Sequence, residues 1–253
     1  MNYKEKVEWF FEQVLDSLFP IRAGEKESNN EDYSTIANFL NQILKASIQP
    51  INSNLTQLIE DFVEELPSVK IALYNDVEAI YEGDPAAESY TEIILAYPGF
   101  YAIAAYRLAH ILWSLNVPLI PRIITEHAHN KTGIDIHPAA QIGSHLCIDH
   151  GTGVVIGQTC EIGNNVKIYQ GVTLGALSIP KTKSKEKRHP TIEDNVVIYA
   201  QATILGGDTV IGHCSIVGGN VWLTHSIEPY TKITFKASDL NIEKIEQKEL
   251  IIS

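Results

Sequence analysis

Residues 154–175 read VVIGQTCEIGNNVKIYQGVTLG, and they decide the fold. Ile156, Ile162, Ile168 and Leu174 stand six residues apart. Val154, Cys160, Val166 and Val172 each precede one of them by two positions. A period of six is neither the 3.6 of a helix nor the 2.0 of a plain strand array. It is the mark of a coil in which each hexapeptide forms one side of a triangle, with the aliphatic side chain turned inward. Outward from this stretch the column extends upstream through Ile148, Ile142 and Ile136. Two extra residues intervene at Asp149–Gly153. Downstream it is expected to resume at Ile192, Ile198, Ile204, Val210, Ile216 and Trp222, with Ala202 and Cys214 among the small inner residues. Thirteen apolar positions at one spacing predict a left-handed parallel β-helix over 133–235.

Residues 1–132 read as an N-terminal α-helical domain, which makes the fold class α+β. Amphipathic segments run over Val7–Phe19, Tyr33–Ser47 and Asn54–Leu66. Ser68 is a candidate cap for a further helix carrying Ile71, Val77 and Ile80. Gly83-Asp84-Pro85 breaks that helix, because proline removes a donor and restricts the residue before it. Pro98–Leu115 is the most apolar helix, and Pro118 and Pro121 open a last one ending near Gly133. Such a coil has open ends that need covering. The helical region is expected to cover one end, and a tail at 236–253 to cover the other or stay loose.

One stretch, ALSIPKTKSKEKRHP at 176–190, lacks the six-residue period and carries Lys181, Lys183, Lys185, Lys187 and Arg188. It is expected to protrude as a basic loop. The formal net charge of the whole chain is -12. Residues 1–130 hold 19 acidic and 8 basic side chains, so nearly all of the imbalance lies before the coil. Such a chain makes a poor general binder of nucleic acid. Apolar residues at 45% and charged residues at 20% exclude wholesale disorder. No run approaches 18 apolar residues, so no membrane span is expected. The first residues lack the pattern of a secretory signal, which makes a cytoplasmic location the expectation. Cys147, Cys160 and Cys214 lack paired spacing and read as buried, reduced side chains.

The coil is a scaffold for several chemistries, so function must be read from a site. His150, at the first register slip, is suited to take a proton from a hydroxyl. Asp135 lies near enough upstream to sit beside it. Arg188, where the loop rejoins the coil, suits a carboxylate. Asp84 is a carboxylate at a helix break. A metal site stays open as a reading, since His145 and His150 are five residues apart and coils of this type also build zinc carbonic anhydrases. Transfer to a sugar or to homoserine stays open as well.

The order DPA at 84–86, TGIDIHP at 132–138, DHGTGVVIG at 149–157 and RHP at 188–190 resembles the serine O-acetyltransferases. The resemblance is close from Asp84 to about Thr231. It implies transfer of acetyl from acetyl-CoA to the hydroxyl of L-serine, the first step of cysteine biosynthesis, with no metal. His150 would be the general base, Asp135 its dyad partner, and His189 a second catalytic histidine. Asp84 and Asp149 would receive the substrate ammonium and Arg188 its carboxylate. Gly175, Ala176, Ala200 and Gly218 fall where the family lays CoA between subunits, which implies a homotrimer or a dimer of trimers. Two departures stand out. Gln158 replaces the family's usual Glu. The chain ends Ile251-Ile252-Ser253 rather than in isoleucine, which argues against the family's complex with O-acetylserine sulfhydrylase.

Overall fold

The computed structural model describes residues 1–25, 32–51, 53–177 and 186–235. Lys181, Lys183 and Lys185 of the basic loop and the whole tail at 236–253 lie outside the described residues. Among the described residues six helices come first: α1 (Tyr3–Leu18), α2 (Ser34–Lys45), α3 (Leu55–Gly83), α4 (Tyr90–Ala96), α5 (Pro98–Ser114) and α6 (Ile120–Thr132).

α1 starts at a capping box. Asn2 accepts the backbone N–H of Glu5, and Glu5 accepts that of Asn2 in return. Its inner face buries Val7, Phe10, Phe11, Val14, Leu15 and Leu18. Glu12 on the same helix accepts from Arg22, from Tyr101 of α5 and from Lys131 of α6.

α3 corrects the expected break at Ser68. It runs unbroken for 29 residues with Pro67 inside it. An interior proline costs about 3 kcal/mol. Leu58, Phe62, Leu66, Val69, Leu73, Val77 and Ile80 form one buried stripe on both sides of it. Each such side chain contributes about 1.5–3 kcal/mol on burial, so the stripe outweighs the lost bond. α4, which the period did not reveal, begins at Ser89, whose hydroxyl accepts the N–H of Glu92. The helices close over the first coil through Asp76 of α3. This fully buried carboxylate accepts from Arg107 of α5 and from the backbone N–H of Leu146, and Arg107 also donates to the carbonyl of Gly143.

The coil follows as fourteen short strands among the described residues. They are β1 (Asp135–Ile136), β2 (Gln141–Ile142), β3 (Cys147–Asp149), β4 (Val155–Ile156), β5 (Glu161–Ile162), β6 (Lys167–Tyr169) and β7 (Thr173–Gly175). After the loop come β8 (Thr191–Ile192), β9 (Val197–Ile198), β10 (Thr203–Leu205), β11 (Val210–Ile211), β12 (Ile216–Val217), β13 (Trp222–Leu223) and β14 (Lys232–Ile233). They stack in parallel as three sheets. The first sheet holds β1, β4, β7, β10 and β13; the second β2, β5, β8 and β11; the third β3, β6, β9, β12 and β14. Ile136 pairs with Ile156, Ile156 with Leu174 and Leu174 with Ile204, as the six-residue column requires.

The last three repeats depart from the expected register. Ile192 pairs with Ile211, Ile198 with Val217 and Ile204 with Leu223. One extra residue at Gly206–Thr209 moves the column from 210, 216 and 222 to 211, 217 and 223. Trp222 therefore points outward and is 67% exposed, while Leu223 is buried. The small inner positions become Thr209, Ser215 and Val221. Cys214, expected inside, sits half-buried at a turn, whereas Cys147 and Cys160 are buried; all three are free thiols.

Candidate active site

Consecutive strands belong to different sheets, so the turns between them define three edges of a prism. His150 follows β3 and precedes β4, at the edge between the third and first sheets. His189 precedes β8, at the edge between the first and second. The two histidines thus mark the two edges of the first sheet. Each edge carries its own cluster of candidate residues.

At the first of these edges the backbone leaves β3 with His150 at φ 58°. This left-handed turn is sparsely populated by non-glycine residues. It throws the imidazole outward, with the side chain 72% exposed. Asp149 precedes it, and one of its oxygens lies 3.8 Å from His150 Nε2. Lys167, at the start of β6, lies 3.4 Å from the other. Asp84 reaches this edge from the end of α3. The hydroxyl of Tyr97 donates to it at 2.7 Å and the backbone N–H of Ala86 at 2.9 Å. The Tyr97 bond, then the Ala86 bond, hold its carboxyl below the usual range, and the charges of His150 and Lys167 add to this. The same bond pushes the Tyr97 phenol up to about 12. Asp84, Asp149 and His150 thus lie on one edge. Asp135 is placed differently. Among the described residues it makes no hydrogen bond to His150, and its carboxylate groups with Glu126 and His129, their ligand atoms within 4.8 Å of one another.

At the other edge His189 is held by Thr159. The backbone N–H of Thr159 donates to Nδ1 at 3.1 Å, and the threonine hydroxyl meets the same nitrogen at 2.9 Å. That hydroxyl oxygen accepts the backbone N–H groups of Arg188 and His189. Nδ1 is thereby assigned as an acceptor, which leaves the proton of the neutral ring on Nε2. The ring packs directly against Gly157. A Cβ at that position would stand 1.9 Å from the imidazole Cδ2, so only glycine fits beneath it. Arg188 donates from Nη2 to Gln158 Oε1 at 2.7 Å. Gln158 thus supplies an uncharged acceptor to the guanidinium. Arg188 also borders a concavity of about 260 Å³ with Leu177, Lys187, Gly206 and Thr224.

Burial, then the charges of Arg188 and Lys187, depress the His189 imidazole to about 4. Burial, then Arg122, Arg188 and His189, do the same to His137 on this edge. Both folded values lie below the ordinary 6.5, so protons bind more readily to the unfolded chain. The contribution to stability is complete above about pH 6.5 and is lost as pH falls toward 4. Melting temperatures measured from pH 7 to pH 4 should fall across that window. Replacing His189 with asparagine should flatten the decline, and an unchanged slope would refute the assignment.

The CoA candidates divide between the edges too. Gly175 and Ala176 close β7 toward the His189 edge. Ala200 and Gly218 lie beyond β9 and β12 on the His150 edge. His145 takes the third edge, between β2 and β3, so His145 and His150 of the metal reading stand on separate edges. A concavity of about 900 Å³ forms a trough along the second sheet lined by Gln141, Glu161, Thr191, Glu193 and His213, and it contains none of these site residues. Sequence reasoning passed over Lys167, Tyr97 and Thr159, which hold the site residues in place.

The three-sided coil and its helical cap define a hexapeptide-repeat protein. Residues 30–105 match the family model for the N-terminal region of serine acetyltransferase. A serine acetyltransferase of Bacillus licheniformis is 51% identical over 151 residues, covering 60% of this chain and 68% of that protein. A plasmid-encoded serine acetyltransferase of Synechococcus elongatus is 53% identical over 182 residues, 70% of this chain. That match spans only 57% of the Synechococcus protein's own length. The crystal structure of Entamoeba histolytica serine acetyltransferase 1 in complex with L-cysteine superposes with a TM-score of 0.78 at 36% identity, covering 89% of this chain and 86% of that one. The Neisseria gonorrhoeae serine acetyltransferase in complex with serine superposes with a TM-score of 0.65 at 28% identity, covering 90% and 95%. The chain belongs to the serine acetyltransferase family. Among the described residues no helix is long and apolar enough to cross a membrane.

Proposed function

We propose that this protein transfers acetyl from acetyl-CoA to the hydroxyl of L-serine, giving O-acetyl-L-serine and CoA, as the first step of cysteine biosynthesis in the cytoplasm. The observation that carries this reading is the split of charge between the two edges of the first sheet. Serine is a small zwitterion with a hydroxyl. Asp84 and Asp149 stand beside His150 on one edge to take its ammonium group, and Arg188 on the other suits its carboxylate.

His150 takes the proton of the serine hydroxyl as the oxygen attacks the thioester carbonyl carbon. The tetrahedral intermediate then collapses, the C–S bond breaks, and the proton returns from His150 to the departing sulfur. Turning the exposed ring toward Asp135, which opens the same coil, gives the base its carboxylate partner. His189, neutral and carrying its proton on Nε2, acts as a hydrogen-bond donor rather than a second base. The donor CoA lies along Gly175 and Ala176 of one chain and Ala200 and Gly218 of the next.

One chain holds the two halves on separate edges, so the complete site needs a second copy. In a ring of three with the first sheet facing the axis, each His150 edge meets a neighbour's His189 edge. The outward row of that sheet favours this: after Asp135 it reads Val155, Thr173, Thr203 and Trp222, with no charge. Sedimentation should give the mass of a trimer or of a trimer pair. Trp222→Glu should release single chains with no serine turnover, and an unaltered mass would reject this assembly.

The activity itself is tested by CoA release from acetyl-CoA with serine, with homoserine and without an acceptor. Serine-dependent release is the expected result. Equal rates in all three would overturn the reading.

A further inference from the structure

Lys167 sits at the centre of the acidic edge, and the reaction as drawn gives it no task. It opens β6, and its ammonium meets three groups. It donates to the carbonyl of Gly83, the last residue of α3. It lies 3.4 Å from Asp149 Oδ2. It stands 4.5 Å from the centre of the Tyr169 ring, within cation–π range. The final carbonyls of a helix have no intrahelical donor and carry partial negative charge, so a lysine is their natural complement.

The approach is close. A Cβ on Gly83 would stand 2.9 Å from Cys147 Sγ and 3.6 Å from Lys167 Nζ. Bare backbone at Gly83 therefore lets the end of α3 settle onto the coil, where the lysine grips it. The next residue is Asp84. One cation ties the helix end to a coil carboxylate, a single residue before the carboxylate that faces His150.

The two acids differ in what remains open to them. Asp149 is 9% exposed and already has Lys167 against it. Asp84 is more open, and the Tyr97 hydroxyl and the Ala86 N–H occupy two of the roughly four acceptor positions of its carboxylate.

We propose that Lys167 is a positioning residue for the acceptor's amino group: by holding the Gly83 carbonyl and engaging Asp149, it sets Asp84 as the carboxylate that receives the ammonium. This rests on serine being the acceptor, and it narrows the sharing between Asp84 and Asp149 that the family resemblance implies. An interaction made equally in the ground and transition states changes KM and leaves kcat alone. A merely structural loss would instead lower the amount of active enzyme at unchanged KM.

The test compares Lys167→Met, which keeps the apolar stem, with Lys167→Arg, which keeps the charge. With acetyl-CoA saturating, Lys167→Met should raise the KM for serine about tenfold with kcat within about threefold, and Lys167→Arg should restore most of the loss. Combined with Asp84→Asn, Lys167→Met should cost little beyond Asp84→Asn alone, because both act on one contact. If Lys167→Met does not fold, Lys167→Gln carries the KM test, since it removes the charge that engages Asp149 while keeping a polar side chain. An unchanged serine KM, a loss in kcat alone, or full additivity with Asp84→Asn would overturn the proposal while leaving the serine reading intact. A wild-type enzyme inert toward serine would overturn both.

Discussion

His150→Ala should lower kcat by about 10²- to 10⁴-fold, the usual contribution of a placed general base, and change the KM for serine little. The imidazole is largely exposed and makes no hydrogen bond among the described residues, so its removal takes nothing from the core. The melting temperature should therefore stay near that of the wild type. The surviving rate should climb with pH, because hydroxide must then do what the imidazole did. Initial rates across a pH series, with a melting curve on the same sample, make the check. A loss smaller than about tenfold would remove His150 from the proton transfer.

Arg188→Ala should act on binding. Hydrogen bonds to a charged group contribute about 1.5–3 kcal/mol, so the serine KM should rise by roughly ten- to a hundredfold. Arg188→Lys should recover little of this. The guanidinium gives Nη2 to Gln158 and holds its N–H groups in a fixed plane, whereas an ammonium is a single point of charge. Serine affinity unchanged in Arg188→Ala would mean that the carboxylate is read elsewhere.

The particular residues show why some of this was legible in sequence and some was not. Ile136 through Leu174 announce the coil because only an inward column needs an aliphatic side chain every sixth residue. The slip after Ile204 was hidden because Val210, Ile216 and Trp222, the outward neighbours, are apolar as well. A signal did exist. Gly143, Gly157, Gly163 and Gly175 each follow an inward residue, and Gly212 and Gly218 do so only if the column passes through Ile211 and Val217. In α3 the spacing of Leu58 through Ile80 argued for one helix more strongly than Pro67 argued for two. His150, Asp149, Asp84, Arg188 and His189 were found because each lies at a break in a pattern. Lys167 and Tyr97 lie inside patterns. The bond from Lys167 to Gly83 joins residues 84 positions apart in sequence, and only the docking of helix on coil brings them together.

That docking separates two requirements that most sites must satisfy with one set of walls. The repeat is a rigid stack in which altering one inward side chain disturbs the layers above and below. Asp84 stands outside it, just past the end of a helix, held by Tyr97 and followed by Pro85. A lineage could reshape this helix end, and so change which acceptor is admitted, without disturbing the layers that hold His150 and His189. The joint between α3 and the coil is thus where acceptor choice is free to evolve.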